Sequence, residues 1–81
     1  MNLTGPFIVS PGTEVKITVS GTTGTIDGYA VVNGQRSPLR ITRLPHGLVS
    51  IVVLIPSNAK GHVLIRLSDD HAQFSHTILL V

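Results

Sequence analysis

Reactive side chains are most concentrated between residues 69 and 76. Asp69, Asp70, His71, Ser75 and His76 bring carboxylates, imidazoles and a hydroxyl close together in the chain. Such groups can bind a divalent metal, and a Ser/His/Asp set can act as a nucleophilic triad. A triad also needs an oxyanion hole and an exposed nucleophile, and Ser75 is not flanked by the glycines that often mark one. We therefore interpret the segment as an Asp-rich turn that bonds to nearby backbone, with a metal site as the open alternative.

His76 belongs to a different environment, because it lies in the predicted last strand, Phe74–Val81. It shares a face of that strand with Phe74, Ile78 and Leu80, since side chains two positions apart point to the same side. This histidine either interrupts the core side of the strand or lies at its rim. We interpret it as a structural, hydrogen-bonded histidine.

Three of the six basic residues lie close together at Arg36, Arg40 and Arg43. They could contact phosphate or an acidic protein surface. The chain holds only two Phe and one Tyr, so a surface that stacks on nucleic-acid bases has little support. We interpret these arginines as edge charges that discourage aggregation between sheets. The loop 21–24 (GTTG) lacks the lysine of a phosphate-binding loop. We predict no enzyme, no cofactor and no small-molecule substrate.

The composition describes one small domain, residues 1–81, without cysteine. Neither a disulfide nor a thiolate metal site can therefore stabilise it. Charged residues are 12% of the chain, about half the usual share of ~25%. The longest apolar run, Ile51–Ile55, is far shorter than the ~20 residues of a membrane-spanning helix. The N-terminus also lacks the features of a secretory signal. Because no polybasic segment suggests a membrane surface either, we predict no membrane partner.

Two alternating segments are predicted to organise the fold. Between Pro11 and Gly21 the apolar residues Val15, Ile17 and Val19 alternate with polar ones. A period of two predicts a half-buried strand. The same pattern recurs in the segment His62–Ser68, and its apolar residues are Val63, Ile65 and Leu67. We predict that these two strands supply facing walls of one core.

Asn33-Gly34 is the strongest turn signal, because this pair tolerates the positive φ angles of a type I′ hairpin turn. We predict a hairpin with arms Ala30–Val32 and Gln35–Ser37, and Pro38 places the second arm at a sheet edge. Further strands are predicted at Phe7–Val9, Thr25–Val32 (with a bulge or close approach at Gly28), Leu39–Leu44, Leu48–Ile55 and Phe74–Val81.

About seven short strands with regular turn signals predict an all-β fold, a small antiparallel β-sandwich or, alternatively, a small β-barrel. The pattern resembles an immunoglobulin-like module of the kind found in bacteriophage virions and bacterial surface proteins. The stretch PGTEVKITVSG looks like the first two strands of such modules, and HTILLV looks like their last. The cysteine pair and tryptophan of antibody domains are missing from this sequence.

Apolar residues occupy both faces of the segments Leu48–Ile55 and Ile78–Val81. A two-layer fold covers only one face of each sheet, so the surplus predicts association with another protein surface. The candidate interface residues are Val49, Leu54, Leu64, Leu79 and Val81.

The resemblance implies a non-catalytic structural protein. We expect a small phage virion component, a decoration, head or tail protein, located in the virion and packed against its own copies or a larger virion protein. A chain that starts with Met1 and lacks a signal sequence favours this expectation. The alternative is an adhesive or spacer module of an exported bacterial surface protein, located outside the cell or on its surface. A nucleic-acid-binding small barrel is the weakest hypothesis.

Overall fold

The computed structural model describes residues 2–81 as an all-β chain of nine strands. The strands are β1 (Asn2–Thr4), β2 (Ile8–Val9), β3 (Glu14–Ser20), β4 (Asp27–Val32), β5 (Gln35–Pro38), β6 (Arg40–Arg43), β7 (Val49–Leu54), β8 (His62–Ser68) and β9 (Gln73–Leu80). This is more than the seven or so strands expected, and the strand that the sequence analysis did not predict is β1, whose three residues are too few to show alternation.

The strands form two sheets. Sheet A has the order β1-β3-β7-β6, and sheet B has the order β2-β9-β8-β4-β5. Neighbouring strands are antiparallel in every pair of residues 2–81 except β2 and β9, which are parallel. The sheets do not close into a barrel, so the small-barrel alternative is wrong. Within the same residues, no helix has the length and hydropathy that crossing a membrane would require.

One hydrophobic cluster takes side chains from both sheets. The six predicted core residues are all buried, which confirms the two organising strands: Val15, Ile17 and Val19 of β3, and Val63, Ile65 and Leu67 of β8. β3 lies in sheet A and β8 in sheet B, so the two alternating segments contribute to one core from different sheets. The period of two in the sequence therefore corresponds to burial on one face.

The continuous apolar run of β7 led to one wrong assignment of a side chain to the surface. Val49, Ile51 and Val53 are buried in the core, and Val49 is 0% exposed. Val49 therefore faces inward and is not available for the interface to which it was assigned. The run is apolar on both faces, so the sequence did not reveal which alternate set points inward. Leu54, on the other face, is 66% exposed as expected.

The predicted hairpin is confirmed in both its turn and its register. Asn33 has φ 51° and Gly34 has φ 77°, the positive values of a type I′ turn. Val32 is opposite Gln35, and β5 lies at the edge of sheet B. Only Leu39 separates β5 from β6, although β6 belongs to sheet A. The predicted strand Leu39–Leu44 therefore begins one residue later, after the chain has changed sheets.

Close approach explains the glycine inside β4. Gly28 is opposite Leu67 of β8, and a Cβ atom on it would clash with the backbone carbonyl oxygen of Arg66 and lie 2.7 Å from Leu67 Cδ2. Real Cβ atoms do not come this close to a neighbour, so any larger residue would force the two strands to shift. The predicted close approach at Gly28 is confirmed.

The N-terminal residues contribute to both sheets. β1 is antiparallel to β3 in sheet A, whereas β2 is parallel to β9 in sheet B. The backbone N–H of Leu79 donates to the carbonyl of Phe7 at 2.8 Å, and that of Val81 donates to the carbonyl of Val9 at 3.0 Å. The first strands of the chain thereby connect the two sheets along one side.

Candidate interaction surfaces

Asp69 organises the turn between β8 and β9. Its Oδ1 accepts the backbone N–H of His71 at 2.9 Å and that of Ala72 at 2.8 Å. Its Oδ2 accepts the N–H of Thr23, from the β3–β4 loop, at 3.1 Å. These donors, His71 first and Thr23 next, hold the pKa of the Asp69 carboxyl below its ordinary value of 3.8. The interpretation as a side-chain-bonded turn is confirmed.

The same turn is tied to the β3–β4 loop, which in turn contacts the end of β6. The N–H of Asp70 donates to the carbonyl of Thr23 at 3.1 Å. The guanidinium of Arg43, at the end of β6, donates to the carbonyl of Gly24. The polar groups in this region therefore bond to backbone. Among residues 2–81, no three His, Asp or Glu side chains form a group that could hold a metal ion.

His76 lies apart from the aspartates. Its Nε2 is 3.0 Å from the carbonyl oxygen of Pro6, and the side chain is half-buried. This hydrogen bond confirms the structural interpretation of the histidine, and it fixes the chain just before β2. Ser75 is adjacent in β9 and points to the opposite face, next to Arg66. The structure therefore does not bring Ser75, His76 and Asp69 together as a triad would require.

The three clustered arginines are distributed over the surface. The guanidinium of Arg36 lies 4.2 Å from the ring centre of Tyr29 in sheet B. Arg40 is opposite Val52 on the outer face of sheet A. Arg43 is directed to the carbonyl of Gly24. The sequence proximity of these residues therefore does not produce a single basic patch.

Exposed apolar side chains concentrate where β2 meets β9. Phe7 is 65%, Ile8 52%, Leu79 52% and Val81 77% exposed. Ile8 and Leu79 are direct neighbours across the two strands. We call these four residues the β2–β9 corner. Leu79 and Val81 were predicted as interface candidates. Phe7 and Ile8 were missed because their partner strand cannot be identified from so short a segment.

The outer face of sheet B continues from this corner. Leu64, a further interface candidate, is half-buried between Thr77 of β9 and Val31 of β4. Two residues further along each strand, on the same face, Tyr29 lies opposite Arg66. A shallow pocket of about 170 Å³ adjoins this pair, and its lining also includes Asp27, Ser68 and Gln73. This face therefore combines apolar, aromatic and cationic groups.

Leu54 stands alone on the other sheet. It lies opposite Glu14 and borders a groove of about 470 Å³ that also includes Val52 and Arg40. Its neighbours are mostly charged or half-buried, so it does not extend the β2–β9 corner.

The residues thus assemble two surfaces, the apolar β2–β9 corner and the Tyr29–Arg66 region beside it, both on sheet B. In comparisons with protein-family models, curated proteins and solved structures, none matched this chain.

Proposed function

We propose that the chain is a non-catalytic structural protein that packs against other copies of itself through the β2–β9 corner. One observation carries the proposal: four of the six large apolar side chains exposed in residues 2–81 lie at this corner, namely Phe7, Ile8, Leu79 and Val81. Ile8 and Leu79 are direct cross-strand neighbours, and a concentration of exposed apolar surface on a small protein is typical of an interaction site.

The proposed architecture is an immunoglobulin-like β-sandwich. Sheet A, β1-β3-β7-β6, corresponds to the A-B-E-D order of that fold, and β9-β8-β4-β5 of sheet B corresponds to G-F-C-C′. The shared core cluster of the two sheets also supports this assignment. The additional strand β2, beside β9, accounts for part of the difference from seven strands.

Burial of the corner would supply the driving force for association. Each Å² of apolar surface removed from water contributes about 25 cal/mol, before the cost of association is subtracted. A standard interface takes about 800 Å² from each partner, and the whole chain exposes 4972 Å². The corner must therefore recruit neighbouring residues of sheet B, beginning with His62, the direct cross-strand neighbour of Leu79. A formal net charge of +2 opposes contact between copies only weakly.

A small phage virion component, a decoration, head or tail protein, is the biological role that we propose. Such a component needs a surface that binds its own copies or a larger virion protein, and the β2–β9 corner supplies one. An adhesive or spacer module of an exported bacterial surface protein is the second candidate. The arginines on sheet B favour it, because they offer a separate contact for a foreign surface.

Light scattering over a concentration series tests self-association. We expect the mass of the wild-type protein to rise with concentration, and the L79K variant to stay monomeric because a lysine at the centre of the contact cannot be desolvated. L54K is the matched control, since Leu54 is an exposed leucine of sheet A that does not extend the corner. A wild-type protein that stays monomeric at all concentrations, or equal loss in L54K, overturns the proposal.

A further inference from the structure

We infer that the outer face of sheet B binds an acidic segment of a second protein, with Arg36 and Arg66 on either side of Tyr29 as the contact residues. The inference rests on the proposed function of the chain as a protein-packing module. It concerns the part of the outer face of sheet B that lies outside the β2–β9 corner, and it specifies the charge of the partner that binds there.

The geometry places an arginine on each side of Tyr29 in the sheet, and the guanidinium of one of them stacks on its ring. Arg66 of β8 is the direct cross-strand neighbour of Tyr29. Arg36 comes from the other side, because β5 is the opposite neighbour of β4, and its guanidinium lies 4.2 Å from the ring centre. Stacking on the ring favours this orientation of the Arg36 side chain. A group that is ordered before binding loses less conformational entropy when it binds.

The charges on this face favour a negatively charged partner. Arg36 and Arg66 are both exposed, and Asp27 is the acidic residue of the same face. Its Oδ1 already accepts the N–H of Gly28 at 2.8 Å. Two copies of this face brought together would set arginine against arginine, which opposes self-association here. Glutamate or aspartate carboxylates can instead accept paired hydrogen bonds from each guanidinium.

The neighbouring side chains favour a protein over a nucleic acid. Val31 and Leu64, half-buried beside the arginines, offer apolar contact to a polypeptide side chain. Nucleic-acid bases need a free aromatic face for stacking, and Arg36 already covers one face of Tyr29. Pro38 and Arg36 on the edge strand β5 discourage the addition of a further strand at that edge. The partner segment therefore lies on the face of the sheet.

Titration with short synthetic peptides tests the inference. The probe alternates glutamate with leucine and serine, and matched peptides carry glutamine or lysine in place of glutamate. With ¹⁵N-labelled protein, we expect NMR shifts at Arg36, Tyr29 and Arg66 with the glutamate peptide, weaker ones with glutamine and none with lysine. Binding should also weaken as salt increases, because exposed charges are screened.

Variants test whether peptide binding depends on this site rather than on general positive charge or on the β2–β9 corner. R36Q and R66Q should each weaken binding of the glutamate peptide about two- to fivefold. R40Q, on the outer face of sheet A, is the matched control and should bind like the wild type. L79K should still bind the peptide, and R36Q and R66Q should still self-associate, so the two proposals can fail independently.

Four outcomes would overturn the inference. They are equal loss in R40Q, equal binding of the glutamate and glutamine peptides, no binding of the glutamate peptide at millimolar concentration, and tighter binding of a single-stranded oligonucleotide. The last result would instead assign the arginines to phosphate.

Discussion

The side chain of Asn33 binds the backbone of Lys60 across two loops: the N–H of Lys60 donates to Asn33 Oδ1 at 3.1 Å. The same amide group donates through Nδ2 to the carbonyl of Asn58 at 3.2 Å. Asn33 thus has two roles, since its positive φ forms the hairpin turn and its side chain holds the β7–β8 loop. One residue later in that loop, the carbonyl of Gly61 accepts the N–H of Leu80 at 2.9 Å. The hairpin is therefore connected through the loop to β9.

Replacement of Asn33 by glycine should separate these two roles. N33G keeps the freedom to adopt positive φ but loses both side-chain bonds, so we expect the free energy of unfolding to fall by about 1 kcal/mol. Hydrogen exchange at the Lys60 amide should also become faster. N33D is the control, because its carboxylate keeps an acceptor for that amide. Equal exchange at Lys60 in N33G and the wild type would contradict this role.

Replacement of Gly34 by valine should destabilise the hairpin through backbone strain alone. The φ of Gly34 is 77°, and a Cβ atom there would meet nothing within 4 Å. Because steric contact is absent, the cost is that of a β-branched residue in the left-handed region, about 1–2 kcal/mol. Urea denaturation measures it. G34N should cost less, since asparagine tolerates this conformation. A G34V variant as stable as the wild type would be incompatible with the turn.

Asp69 should make part of the stability depend on pH. Hydrogen bonds from the N–H groups of His71 and Thr23 lower the pKa of its carboxyl in the folded protein below 3.8. A lowered folded-state pKa means that the contribution is fully present above the unfolded-state value and is lost as pH falls through the folded-state value. The difference in unfolding free energy between the wild type and D69N should therefore be largest at neutral pH and shrink in acid.

Denaturant titrations at neutral pH and across the acid range would measure this difference. D70N is the matched control, because the Asp70 carboxylate accepts none of the three bonds that Asp69 accepts. A difference between the wild type and D69N that stays constant into strong acid would show that the bonds do not depend on the ionised carboxylate.

Local signals in the sequence were sufficient for two of the turns and for the core residues of the two alternating strands. The alternation of Val15, Ile17 and Val19 predicted their burial, because the period of a strand is independent of its partners. Asn33-Gly34 predicted a turn because the backbone conformation is a property of those two residues. Asp69 was assigned to a turn on similar grounds, and its bonds to His71 and Ala72 are local.

Relationships between distant residues were not predictable in this way. The bond from Thr23 to Asp69 joins residues 46 positions apart. Neither residue type predicts that the other will be its partner. The exposure of Phe7 and Ile8 depends on the parallel pairing of β2 with β9, which no local pattern encodes. Val49 was misplaced for a related reason, since an uninterrupted apolar run does not show which face is buried. Of the four residues of the β2–β9 corner, only the C-terminal pair Leu79 and Val81 was therefore predictable.

The division of the N-terminal residues between two sheets has a consequence for the order of folding during synthesis. β1 can pair with β3 as soon as residue 20 is available, but β2 has no neighbour in sheet B until residue 79 has been made. At roughly 5–20 residues per second, about 4–14 s pass between the synthesis of residue 9 and that of residue 79. During this time Phe7 and Ile8 lack β9, the strand that positions them. β2 is thus open to pairing with a neighbouring copy for longer than β1 is.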